Sequence, residues 1–186
     1  MLGLDKYLEM QGLVYKFTGK ENLDPSDSPQ LNVEKTIQFI SETNDYDNHI
    51  KNSDDYIKAI KENKGIYRYR NLNNEEVYFS KDIIRMTQNF RSPFLQSAQE
   101  LIYQDQLDEA NDILLSMDKS IPINTIPILH SDYQLTVARL FAMAENKDKF
   151  NFYMQDLMNR KDLTIQDHYD ISSVLLMDSH TIIEGE

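Results

Sequence analysis

The sequence contains no cysteine, only five glycines and no long apolar run among its 186 residues. Without cysteine the chain forms no disulfide, no thiolate nucleophile and no zinc–thiolate site. Its glycines make no array that cradles phosphate, which excludes a glycine-rich nucleotide-binding loop. A transmembrane helix needs roughly 18 to 20 consecutive apolar residues, so we expect no membrane-spanning segment in this chain.

Basic residues are also scarce. The chain has 19 Lys and Arg against 31 Asp and Glu, which gives a formal net charge of −12. Binding to nucleic acid depends on clustered basic residues that neutralise phosphates. We therefore expect no nucleic-acid partner.

The titratable residues form no pattern typical of catalysis. The four histidines make no HExxH pair, and acids such as Asp108 and Glu109 stand together where a helix begins. The helix dipole already explains acids at that position. We expect surface or capping roles for the histidines, and we predict no catalytic residue, no metal and no cofactor.

The first part of the chain, residues 1–79, mixes strand and helix signals. In LVYKF every second residue is large and apolar, which predicts a strand with one buried face. Helical spacing follows in LNVEKTIQFISETN and in SDDYIKAIKENKG, which Ser53 caps and Gly65 ends. GIYRYR and EVYFS flank the polar NLNNE, a pattern that predicts a β-hairpin. This part is therefore a small mixed α/β unit containing a short hairpin or sheet.

The second part, residues 80–186, has a helical pattern, so the fold class is mainly α. When residues are counted from Arg91, the sequence matches the pattern of a tetratricopeptide-like helical hairpin, with its large residues, small residues and terminal proline in place. These positions are Phe94, Ala98, Leu101, Ala110, Leu114 and Pro122. Small residues on both helices let the two backbones approach closely.

A second hairpin follows the linker INTIPIL and repeats the pattern less closely, with Phe150 where a small residue is expected. Its matching positions are Ala138, Phe141, Met154 and Leu157. The hairpins are predicted at about residues 88–121 and 131–160, with a closing helix at about 164–178 capped by Thr164. About three such units are needed to bury a continuous core, so the N-terminal part is expected to pack on them.

Candidate partner-binding residues stand around the start of the first hairpin. Asn89, Arg91 and Gln96 are the candidates because they precede the inner helix or lie at its beginning, and the arginine can meet an anionic group. The commoner role of such an arginine is to pair with an acid on a neighbouring helix, and this alternative stays open.

Three phrases together resemble one family. Residues 6–16, 85–91 and 98–110 resemble, in order, "KYFEMEGLVYRL", "RMTMNFR" and "A-L-I-x-E-G-x-x-x-x-A". These phrases are typical of the C-terminal soluble end of large bacterial multi-pass membrane proteins, the domain of unknown function two-seven-two-three, described as protein-O-mannosyltransferase-like or glycosyltransferase-like. The resemblance covers most of residues 3–160, and the glycine of the third phrase is replaced within YQDQ.

The resemblance implies that the chain is part of a longer protein whose membrane portion carries the sugar transfer. It implies a domain on the extracytoplasmic (periplasmic) side of a bacterial cell membrane. We then expect a non-catalytic accessory domain that positions an acceptor protein or partner subunits, or that contacts the membrane portion of the same protein. The alternative is a free-standing tetratricopeptide-like adaptor that binds peptides. An enzyme in its own right has the least support, because no catalytic site is recognisable.

Overall fold

The chain is mainly helical and carries a small three-stranded sheet in its N-terminal part. A computed structural model describes residues 4–23, 29–40, 53–61, 69 and 71–183. The predicted fold class is confirmed. Of the sequence predictions, the Gly65 helix end, His49 and the arm GIYRYR except Tyr69 lie outside the described residues.

The sheet has the strand order β2-β1-β3. Strand β1 (Leu8–Gln11) pairs antiparallel with β2 (Val14–Phe17) and parallel with β3 (Gln30–Leu31). A two-residue turn joins β1 to β2, and its Gly12 has a φ of 66°. Glycine at the first position of such a turn is typical of the tight hairpins that match strand twist.

The expectation of a buried face on LVYKF is wrong. All four residues of β2 are exposed, whereas Met10 in β1 is buried. The reason is strand order, because β1 is central and packs against helix α1 (Val33–Ile40), while β2 lies at the edge. Apolar alternation thus identified a strand but not its position in the sheet.

The prediction that EVYFS forms the second strand of a β-hairpin is also wrong. Residues 71–77 form consecutive turns, and residues 78–80 form no strand. Asn71 has a φ of 64°, and the Asn74 side chain accepts a hydrogen bond from the amide of Glu76 at 2.9 Å. Asparagine supports both conformations, since it tolerates the left-handed region and bonds its own backbone.

The remaining helices follow the predicted order. They are α2 (Ser53–Lys61), α3 (Lys81–Thr87), a 3-10 turn (Gln88–Arg91), α4 (Ser92–Tyr103), α5 (Leu107–Ser120), α6 (Ser131–Met143), α7 (Lys147–Met158) and α8 (Ile165–Ile183). Helices α4 and α5 form the first antiparallel hairpin, and α6 and α7 form the second. Helix α6 also contacts α4, α5 and α8, and α1 packs on α4, so the N-terminal part joins the stack.

The two hairpins share a buried pattern with an offset of 40 residues. Ala98 and Leu114 of the first hairpin are fully buried, as are their equivalents Ala138 and Met154. The exception is Ala110, whose equivalent is Phe150, also buried. The second hairpin therefore combines one small and one large residue where the first uses two alanines. These positions and the linker isoleucines belong to one buried core, which also includes Ile40 of α1.

Both hairpins turn through a residue with left-handed backbone. Asp105 has a φ of 61° and Glu145 a φ of 59°. In the first turn the amide of Gln106 donates to the Leu101 carbonyl at 2.9 Å, and in the second Asn146 donates to Phe141 at 2.8 Å. This is the helix-ending motif in which glycine is preferred. Asp105 thus occupies the position of the glycine that YQDQ lacks.

Helix α8 closes the stack through its buried Ile171 and Val174. Its predicted cap is confirmed, since the Asp167 amide donates to the Thr164 hydroxyl at 3.2 Å and the Thr164 amide donates to the Asp167 carboxylate at 2.6 Å. The Ser131 hydroxyl donates to the same carboxylate. Asp167 therefore joins the beginnings of α6 and α8.

We predict that Asp105→Gly stabilises the protein by about 0.5 to 1 kcal/mol. A non-glycine residue in the left-handed region costs roughly 1 to 2 kcal/mol, part of which is offset by the greater freedom of glycine in the unfolded chain. Urea denaturation measures the change, with Asp105→Ala as the control that keeps a Cβ atom. A glycine variant no more stable than the alanine variant would contradict the prediction.

The stability provided by Asp167 should depend on pH in the acid range. Hydrogen bonds from Ser131, and then from Thr164, lower the pKa of Asp167 from 3.8 to about 2. Because the folded pKa is the lower one, the contribution is complete above about pH 4 and is lost as the pH falls towards 2. The stability difference between wild type and Asp167→Asn should shrink over that range, as urea denaturation at several pH values would show. A constant difference would exclude this role, and Ser131→Ala should move the loss to higher pH.

Candidate functional site

The linker between the hairpins, residues 121–130, lies at the surface but turns several of its side chains into the core. It contains four buried isoleucines: Ile121, Ile123, Ile126 and Ile128. Isoleucine side chains in a core are stabilised by removal from water, but the backbone that carries them brings carbonyl groups that need hydrogen-bond donors. The source of those donors determines how the two hairpins are held together.

Arg91 supplies donors at the beginning and middle of the linker. Its side chain is fully buried, and Nη2 donates to the carbonyls of Ile121 at 2.8 Å and Ile126 at 2.5 Å. Its Nη1 donates to the Gln88 side chain at 3.2 Å, and Gln88 donates in turn to the Pro127 carbonyl at 2.9 Å. The linker is therefore fixed by a guanidinium rather than by secondary structure.

No carboxylate lies within 4.0 Å of Arg91 in the described part of the chain. The alternative that Arg91 pairs with an acid is therefore wrong, because backbone carbonyls take that place. Burial lowers the pKa of Arg91 from its ordinary value, yet an arginine remains charged at neutral pH. Its Nε atom has no hydrogen-bond partner among the described residues.

Arg160 holds the other end of the linker. Its Nη1 donates to the Ile128 carbonyl at 2.9 Å, and Nη2 donates to the Leu129 carbonyl at 2.8 Å. The same guanidinium binds both carboxylate oxygens of Asp162, at 3.0 and 2.8 Å. The two arginines thus bind four carbonyls of the linker, those of Ile121, Ile126, Ile128 and Leu129. Because the linker leads directly into α6, these bonds fix α4 relative to α6.

The three predicted partner-binding residues have different surroundings. Asn89 and Gln96 are exposed, but Arg91 has no exposed surface. The Arg91 side chain is therefore not presented to a partner in this structure, and its contacts hold the linker instead. For Asn89 and Gln96 partner binding stays a prediction.

A groove of about 340 Å³ lies where the two inner helices begin. Gln88, Asn89 and Ser92 line one side, and the other side is lined by His130, Asp132 and Tyr133. A second groove of about 250 Å³ lies between α6 and α8, and Asp132 also lines it. The surfaces of α4, α6 and α8 are therefore connected by grooves on both sides of α6.

Exposed side chains, all polar except Met143, follow one stripe on each inner helix. The stripe on α4 consists of Ser92, Gln96, Gln99 and Tyr103. The stripe on α6 lies 40 residues later and consists of Asp132, Thr136, Arg139 and Met143. We call these eight residues the α4/α6 face. All of them except the half-buried Ser92 are exposed.

Hydrogen bonds along α4 order the amides of this face. Gln96 donates to the Ser92 hydroxyl at 3.3 Å, and Gln99 donates to the Tyr103 hydroxyl at 3.0 Å. Side-chain amides both donate and accept, so they match the alternating groups of a peptide backbone. Among the described residues no cluster of three His, Cys, Asp or Glu is placed to hold a metal ion.

A second polar cluster extends from the core to the surface and connects α5 to α7. The Tyr153 hydroxyl donates to Asp118 at 2.7 Å, and the Lys149 ammonium donates to the other carboxylate oxygen at 2.5 Å. Tyr153 is fully buried and stacks on Phe141 at a centroid distance of 5.4 Å. Burial, together with the neighbouring Asp118, raises the pKa of Tyr153 well above its ordinary value. The Tyr153 hydroxyl thus links α7 to α5 from within the core.

Sequence reasoning missed Asp118, Lys149, Tyr153 and the Arg160 clamp. A basic residue after the last turn of α7 is a signal for interaction with helix-end carbonyls, but Arg160 binds carbonyls of the linker instead. Its partners lie about 30 residues earlier in the chain. A local pattern could not identify them.

The chain was compared with protein-family models, curated proteins and solved structures, and none matches it. The fold and site therefore define only a class, which is a mainly helical protein with repeated hairpins around a clamped linker. No described helix is both long and apolar enough to cross a membrane.

Arg91→Met should destabilise the protein strongly. The substitution leaves the carbonyls of Ile121 and Ile126 without their charged donor, and hydrogen bonds to charged groups contribute about 1.5 to 3 kcal/mol each. We expect the free energy of unfolding to fall by roughly 3 kcal/mol or more, measured by urea denaturation.

The matched control is Arg85→Met, since the Arg85 side chain is 75% exposed and bonds only Asp82 among the described residues. Surface substitutions of this kind change stability by about 0.5 kcal/mol or less. Equal stability of the two variants would show that the Arg91 contacts do not hold the linker.

Proposed function

We propose that this chain is a non-catalytic binding module that positions a protein or peptide partner on its α4/α6 face. In the first form of the proposal it is the accessory domain of a membrane glycosyltransferase-like protein and positions an acceptor protein or partner subunits. The observation that carries the binding role is the exposed polar stripe repeated on α4 and α6. The transferase context is supported by the three resembling phrases alone.

The rigidity beneath the α4/α6 face supports a binding role. Ser92 follows directly on the buried Arg91, and Asp132 lies two residues beyond the linker that Arg91 and Arg160 hold. A surface whose support is already ordered loses less conformational entropy when a partner binds. The stripe residues are thus presented by two helices with a fixed separation.

The non-catalytic part of the proposal is supported by where the polar clusters lie. The pKa of Tyr153 is raised well above its ordinary value by burial and by the neighbouring Asp118, but its side chain is fully buried. A general acid or base has to reach a substrate within hydrogen-bonding distance. The α4 part of the exposed stripe offers amides and hydroxyls, which bind and orient but transfer protons poorly near neutral pH, and the α6 part adds the single carboxylate of Asp132.

The alternative is a free-standing adaptor with the same binding face. The two forms differ in the size and compartment of the protein in the cell. An immunoblot of fractionated cells that carry the protein distinguishes them. A band much heavier than the calculated 21.9 kDa, released from membranes only by detergent, supports the accessory domain. A soluble band near that mass supports the adaptor.

Photo-crosslinking tests the binding face in either form. A photoreactive phenylalanine derivative at Gln96 should yield a covalent adduct with a partner polypeptide when irradiated in cells, because this position is exposed on α4. The same residue at Glu109, exposed on α5, is the matched control. We expect at least about a tenfold larger adduct yield from position 96, measured by immunoblot.

Equal adduct yields from the two positions would contradict the proposed face. Absence of an adduct from both would contradict the binding role. A third position at Gln99, one helical turn further along the stripe, should give the same adduct as position 96 if the partner lies along α4.

A further inference from the structure

Strand β2 presents an open hydrogen-bonding edge. Among the described residues it pairs only with β1, and it is the outer strand of the sheet. Antiparallel pairs alternate between hydrogen-bonded residues and residues whose backbone groups point away from each other. The backbone contacts of β1 show which amides and carbonyls of β2 point outward, away from β1.

The Met10 carbonyl accepts from the Asn32 amide at 3.0 Å, so the backbone of Met10 faces β3. Met10 and its partner Tyr15 are therefore a pair without mutual hydrogen bonds. Two residues further along, Leu8 and Phe17 are again such a pair, because hydrogen-bonded and non-hydrogen-bonded pairs alternate. The Thr18 amide donates to the Tyr7 carbonyl at 2.9 Å, which fixes the phase of the pattern. The amides and carbonyls of Tyr15 and Phe17 thus point outward, away from β1.

The side chains on this edge are unusual for an exposed strand. Tyr15 is 55% exposed and Phe17 is 61% exposed, and both lie on one face of the sheet. Lys16 lies on the other face, and no carboxylate among the described residues is within 4.0 Å of its ammonium. Natural edge strands usually avoid exposed aromatic residues because such an edge attracts another strand.

We propose that the edge of β2 binds an extended strand of a partner polypeptide, which extends the sheet. The partner strand carries apolar residues on the face of Tyr15 and Phe17 and an acidic residue opposite Lys16. Main-chain hydrogen bonds at Tyr15 and Phe17 provide the affinity, and the alternating side chains select the sequence. This surface is separate from the α4/α6 face and binds independently of it.

A second copy of this chain is a poorer occupant. In the symmetric antiparallel register that pairs Tyr15 with Phe17, each Lys16 faces the Lys16 of the other copy. Like charges directly opposite each other destabilise a strand pair. The net charge of −12 on each copy adds repulsion at longer range.

The test uses a defined peptide, acetyl-Thr-Val-Glu-Val-Thr-amide, and the full chain labelled with ¹⁵N. Binding should slow hydrogen exchange at the amides of Tyr15 and Phe17 by at least about tenfold, measured by NMR. A control peptide with N-methyl groups on both valines cannot donate to the edge and should give no protection. This control leaves the protein unchanged, so loss of folding cannot imitate the result.

Two variants test the same edge from the side of the protein. Tyr15→Pro removes an outward donor, which an edge strand tolerates, and should weaken peptide binding by about tenfold or more. Tyr15→Thr retains the donor and should weaken binding less. Circular dichroism checks that both variants keep the helical fold.

The proposal is overturned if the amides of Tyr15 and Phe17 stay unprotected at saturating peptide. It is also overturned if the N-methylated peptide binds equally well, or if the peptide instead shifts the side-chain amide signals of Gln96 and Gln99. Concentration-dependent protection of the edge without any peptide would assign it to a second copy of the chain.

Discussion

A buried guanidinium that has no carboxylate partner among the described residues is the constraint on which the C-terminal part depends. Arg91 is fully buried, and its Nη2 is satisfied by the carbonyls of Ile121 and Ile126. A charge left unpaired in a core is costly, so the linker must occupy this position for the hairpins to pack. The isoleucines make the same position favourable by removing apolar surface from water. Charge satisfaction and apolar burial thus select one path for the linker, and that path fixes the grooves beside α6.

How much of this could be predicted follows from the range of each interaction. Ala98, Ala110 and Leu114 were identifiable because helix pairs impose a local spacing that the sequence itself displays. The fate of Arg91 was not identifiable, since its acceptors lie about 30 residues later. The exposure of β2 failed for a related reason: alternation specifies a strand, but its neighbours in the sheet decide whether a face is covered. Of the exposed stripe on α4, only Gln96 was identified from the sequence. Its continuation on α6 becomes visible when the second hairpin is aligned on the first with an offset of 40 residues.

The turns show how local strain is accommodated by a repeated motif. Asp105 and Glu145 both adopt the left-handed conformation that glycine adopts without cost. Each is held by hydrogen bonds from the following residues to the end of the preceding helix. Because the hairpin core is buried on both sides of the turn, tertiary packing enforces a conformation that the turn residues disfavour. The missing glycine therefore changes the stability of the hairpin more than its shape.

The two proposed surfaces would recognise polypeptide by different chemistry. The α4/α6 face offers side chains on helices, among them the amides of Gln96 and Gln99, because the backbone groups are already used within the helix. The edge of β2 offers the backbone itself, with Tyr15 and Phe17 as anchors. Side-chain amides depend on a rigid support for their position, and the Arg91 and Arg160 clamps provide it. The edge of β2 depends on its pairing with β1, and β1 is held by β3 and α1. A disturbance of the linker that leaves the protein folded should therefore weaken the first surface more than the second.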